Sequence, residues 1–115
     1  MKRIILAVIL AVALLGAQGA KAKPAYPNSV QELLSACEEK DSPIFFGYCV
    51  GATHAIYKGF AYGYVYGHRA CLPDFVTSGQ LIQVFINYAK LIPKYWHEQA
   101  LQFVATSFAV AWPCN

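Results

Sequence analysis

The chain predicts an all-α domain, a small disulfide-stabilised four-helix bundle with antiparallel helices. Three observations carry that expectation. Two S/T-x-x-E/Q signatures, "SVQE" and "TSGQ", each stand directly before an apolar pattern. Apolar residues then return every three or four places, the period of a helix with one buried face. Four cysteines follow an export-type N-terminus, where thiols are expected to pair.

Met1-Lys2-Arg3 is a basic start and Ile4 to Leu15 an apolar run, followed by Gly16, Ala17, Gly19, Ala20 and Ala22. The run is too short for a bilayer and ends in small residues, which reads as a secretory signal peptide. Cleavage is expected after Ala22, with Gly19 as the alternative. Residues 1–22 are then removed and 23–115 form a single helical domain. The formal net charge of +3 belongs to the leader, since Lys2, Arg3 and Lys21 leave with it. Lys23, Lys40, Lys58, Arg69, Lys90 and Lys94 remain against Glu32, Glu38, Glu39, Asp41, Asp74 and Glu98, a balance that argues against nucleic acid as a partner.

The first helix opens at Asn28-Ser29. Ser29 can accept from the Glu32 amide and Glu32 can reach back to the Ser29 amide, while Val30, Leu33, Leu34 and Cys37 share one face. Ser42-Pro43 starts the second, serine as N-cap and proline in the first turn. That helix is expected to run through "GYCVGATHAIYKGFAYGYVYGH" to about Gly67. The third begins at the Thr77/Gln80 box and buries Leu81, Val84, Phe85, Tyr88 and Leu91. Pro93 ends it and starts the fourth, which continues to about Ala111 with Ala100, Leu101, Val104, Phe108 and Ala111 inside.

Four cysteines without a C-x-x-C pair argue for two disulfides and against zinc. The helix order favours Cys37–Cys49, because the first helix ends near the start of the second. It favours Cys71–Cys114, because the second and fourth helices finish at one end of the bundle.

Small residues recur every fourth place in the second helix, at Gly47, Gly51, Ala55, Gly59, Gly63 and Gly67. Charged residues interrupt the run, so a membrane span is not expected; glycines at this spacing admit close backbone approach. Gly59 and Gly63 are candidates for a seam, either within the chain or between two copies. No catalytic motif is present: His54, His68 and His97 fit neither H-E-x-x-H nor a free-thiol pair, and Asp41 and Asp74 suit helix starts. No catalytic, cofactor or metal residue is expected. The "KYWHEQ" corner places Lys94, Tyr95, Trp96 and His97 where a partner could be gripped, against the plainer reading that Trp96 caps the core. Tyr62 and Tyr66, one turn apart on the second helix, would add a second contact surface.

"SVQELLSAC", "FFGYCVG" and "CLPDFVTSGQLIQVFINYAKLIPKYWHEQALQFVATSFAVAWPC" together resemble the Rap/Tai family. These are small exported immunity proteins that protect bacteria from type VI secretion amidases, enzymes that cut peptidoglycan peptides. The most specific parts are C-x-P followed by V-T-x-x-Q-L, the proline between the last helices, and the terminal aromatic-Pro-Cys. The resemblance implies a helical, disulfide-bonded, dimeric periplasmic protein that occludes a cognate amidase effector and is not itself an enzyme. The chain departs from the family's usual C-x-G-Y-x-x-G after the second cysteine, having "CVGATHA" with Ala52 and Ala55 in the aromatic and glycine places. A competing function of another class is a helical periplasmic stress chaperone, or an envelope binding module without an enzyme target.

Overall fold

The computed structural model describes residues 26–115, so the expected signal peptide lies outside the described residues. Four helices follow in order: α1 (Val30–Glu38), α2 (Pro43–Phe60), α3 (Ser78–Leu91) and α4 (Ala100–Ala111), with a 3-10 turn at Pro93–Tyr95. Every helix packs on every other, as in a small bundle. No described helix is long and apolar enough to cross a membrane.

Local chemistry explains where α1 and α3 begin. The Thr77 hydroxyl accepts from the Gln80 amide at 3.1 Å and the Gln80 side chain accepts from the Thr77 amide at 2.9 Å, a complete capping box. At α1 the Ser29 hydroxyl accepts from the Glu32 amide at 3.1 Å. The expected return bond takes another form, since the Glu32 carboxylate receives the Ser29 hydroxyl at 2.9 Å rather than the amide. The next two orphan donors of α1 are met from across the bundle, Val30 N–H by the Glu98 carbonyl and Gln31 N–H by that of Trp96. Ser42 occupies the cap position of α2 without a side-chain bond, and Pro43 supplies the preset first turn.

The core is built from Val30, Leu33, Leu81, Phe85, Val104 and Phe108, each at most 1% exposed. Phe103 meets Phe85 edge-on at 6.1 Å and Tyr88 at 5.1 Å, the offset geometries aromatic quadrupoles favour. Buried hydroxyls are satisfied locally: Thr53 donates to the Cys49 and Val50 carbonyls and Ser107 to Val104. Cys37–Cys49 joins α1 to the second turn of α2 inside this core, and Cys71–Cys114 joins the segment after α2 to the one after α4. That pairing is the one helix order favours. Because both cystines are formed, the described residues contain no free thiol.

Four expectations are corrected. α2 stops at Phe60 and does not reach Gly67; Ala61 N–H turns back to Lys58 O and Tyr62 N–H to Gly59 O, and Gly63 leaves helical space at φ 138°. Closely spaced glycines and tyrosines are poor helix formers, and the tertiary contacts beyond this point, Val65 against Gly59 and His68 with Thr106, hold a hairpin instead of a helix. The fourth helix begins at Ala100 rather than Pro93, with Gln99 as its cap, because Gln99 is extended (ψ 128°) where 29 and 99 pair as an isolated β-bridge. Leu91 is 79% exposed, the buried face of α3 being Leu81, Ile82, Phe85, Ile86 and Ala89. Ala111, the last residue of α4, is exposed as well.

Candidate partner-binding surface

The residues between α2 and α3 form a tyrosine-bearing hairpin. Val65 and His68 exchange both backbone hydrogen bonds, each at 2.9 Å, leaving Tyr66-Gly67 as a two-residue turn. Both central residues have positive φ, 50° at Tyr66 and 74° at Gly67, the signature of a type I′ turn. Tyr62 and Tyr66, expected one turn apart on a helix, are therefore placed differently: Tyr62 precedes the hairpin and Tyr66 stands in the turn itself. With Tyr64 they are exposed by 93%, 47% and 71% for Tyr62, Tyr66 and Tyr64 respectively.

The hairpin is fixed at several points. Val65 points inward, its Cγ2 2.9 Å from where a Cβ on Gly59 would stand, so the α2 glycine admits the turn itself. His68 Nε2 lies 3.0 Å from Thr106 Oγ1. The Thr106 proton goes to the Gln102 carbonyl, which leaves the imidazole N–H as donor and ties the hairpin to α4. Ala70 is buried, Cys71 N–H donates to Trp112 O at 2.9 Å, and the Cys71–Cys114 bond closes the base. Beside it Lys58, Phe60, Ala70, Leu72 and Asp74 line an open cleft. Tyrosine combines a large flat contact area with few rotatable bonds, so tyrosines on a pinned loop can bind at low entropic cost.

Gly59 and Gly63 do not form one ridge. Gly59 serves the internal contact with Val65, and Gly63 stands in the loop. The close approach the glycine spacing announced is thus with the chain's own hairpin. A Cβ at Gly47 or Gly51 would meet open space.

The Lys94–His97 corner is a second exposed surface, toward the opposite end of α4. Trp96 does not belong to its outer face: its indole N–H donates to the Ala89 carbonyl at 2.7 Å and its ring packs on the core. Lys94, Tyr95 and His97 are exposed, with the Lys94 ammonium 5.1 Å from the Tyr95 ring centre. Sequence reasoning singled out Tyr62 and Tyr66 but missed Tyr64 and the His68–Thr106 tie. The alternation Tyr-Gly-Tyr-Val-Tyr-Gly carries a period of two, which could have marked an extended segment.

No curated protein and no solved structure matches the chain significantly. The family model described as Rap1a immunity proteins matches residues 29–114, from the α1 cap to the last cystine half. The chain belongs to the family of Rap1a immunity proteins.

Proposed function

We propose that this protein is exported to the periplasm as residues 23–115 and there binds and inhibits a peptidoglycan amidase effector of type VI secretion. Family membership carries this reading, supported by two cystines that suit an oxidising compartment. Inhibition is by occlusion: the protein acts as a rigid body, contributes no reacting group, and needs no cofactor. Tyr62, Tyr64 and Tyr66 on the pinned hairpin form the principal contact surface, with Lys94, Tyr95 and His97 as a second one. The homodimer is retained from the family resemblance alone, and its seam is not assigned to Gly59 and Gly63.

The test titrates oxidised protein against a purified amidase effector, reading peptide release from peptidoglycan. Stoichiometric inhibition is expected. A panel of type VI amidases left fully active would overturn the amidase target, and an N-terminal reporter fusion retained in the cytoplasm would overturn the location.

A further inference from the structure

Tyr66 stands at the first central position of a type I′ turn with φ 50°. Left-handed backbone there favours glycine, which has no Cβ to crowd its own carbonyl, and asparagine or aspartate, whose short polar side chains offset that crowding with local hydrogen bonds. The neighbouring Gly67 meets the same demand without strain. Tyrosine is therefore the wrong residue for the fold at this place. Among the described residues no hydrogen bond, ring stacking or cation contact involves Tyr66, it does not pack on the core, and it is 47% exposed. By contrast the aromatic side chains of Tyr57, Tyr88 and Trp96 all pack against the core.

Strain that nothing inside the molecule repays points to a contact outside it. We infer that Tyr66 is the specificity-determining anchor of the hairpin, its ring held forward by a strained turn to enter a cleft on the partner protein. The position sits at the apex of a loop clamped by Val65 on Gly59, by His68 on Thr106 and by Cys71–Cys114. The turn that carries Tyr66 is thus held in place before the partner arrives. The inference rests on the amidase-inhibitor reading for the partner's class, and on the backbone alone for the strain.

Tyr66→Asn separates the two. Asn-Gly is a favoured type I′ pair, so the hairpin should persist, checked by slow hydrogen exchange at the Val65 and His68 amides. The melting temperature of the oxidised protein should rise by about 3–8 °C. Affinity for the amidase effector of the preceding assay should fall by at least about 30-fold, the scale of an interface hot spot. Tyr66→Phe should keep the wild-type melting temperature and most of the affinity. An Asn variant that inhibits like wild type, or melts no higher, overturns the inference while leaving the inhibitor reading intact. If wild type itself inhibits no amidase, the inhibitor reading fails. The melting arm then decides: an unchanged or lower value overturns the inference, and a rise upholds a ring kept against stability.

Discussion

Val65 occupies the space that a Cβ on Gly59 would need, its Cγ2 standing 2.9 Å from that point. Valine is stiff about χ1 and cannot swing aside cheaply. Gly51 differs in every respect, lying in mid-helix, exposed and with nothing within 4 Å of an added Cβ. Gly51→Ala should therefore stabilise by about 1 kcal/mol, from helix propensity alone. Gly59→Ala should destabilise by about 1 kcal/mol as the hairpin is pushed off α2. Urea unfolding of both variants checks the contrast, and equal effects would remove the proposed clamp.

The first and third helices were legible because their caps are written in side chains that satisfy backbone donors, Ser29 with Glu32 and Thr77 with Gln80. The end of α2 was not legible. Glycines at fourfold spacing read alike whether they serve a helix ridge or a turn, and only the pairing of Val65 with His68 decides. Tyr66-Gly67 is also an unusual type I′ pair, so the turn carries no familiar signature. The break after Pro93 has a tertiary cause, because the carbonyls of Trp96 and Glu98 are drawn to the α1 N-terminus. Nothing in "KYWHEQ" itself records that demand.

Trp96 should behave as a structural residue. Its ring fills the core margin and its indole N–H satisfies the Ala89 carbonyl. Trp96→Ala should cost about 3–4 kcal/mol, while Trp96→Phe, which keeps most of the ring area, should cost about half as much. His97→Ala, at an exposed position, should change stability by less than about 0.5 kcal/mol. Thermal melts read all three. Should Trp96→Ala leave the melt unmoved, its place in the core would be wrong.

The two cystines should be unequal. Cys37–Cys49 spans 12 residues and is buried, whereas Cys71–Cys114 spans 43 and holds the hairpin base. Chain entropy alone assigns about 3 kcal/mol to the first and about 4 kcal/mol to the second. Paired alanine replacements should follow that order in denaturant unfolding. The Cys71→Ala, Cys114→Ala protein should in addition lose hydrogen-exchange protection from residue 65 to residue 71, while α1 and α3 stay protected under native conditions. Uniform loss of protection would mean that the second cystine holds the whole bundle rather than the hairpin.

Thr106 offers a way to loosen the hairpin without touching any tyrosine. Its hydroxyl accepts from His68 Nε2–H and donates to Gln102 O within α4. Thr106→Val keeps the shape and removes both bonds, leaving the imidazole without this partner at a half-buried position. The net cost in stability should be about 1 kcal/mol, since a neutral hydrogen bond between protein groups largely replaces one to water. Exchange at the Val65 and His68 amides should rise well beyond what that global change explains, because the tie holds the hairpin to α4. If the hairpin presents its tyrosines in one fixed direction, loosening it should also lower affinity for the amidase by a few-fold, chiefly through faster dissociation. Exchange that rises only in step with global stability would show that Val65, Gly59 and the cystine suffice to hold the turn, and that His68 is merely accommodated beside α4.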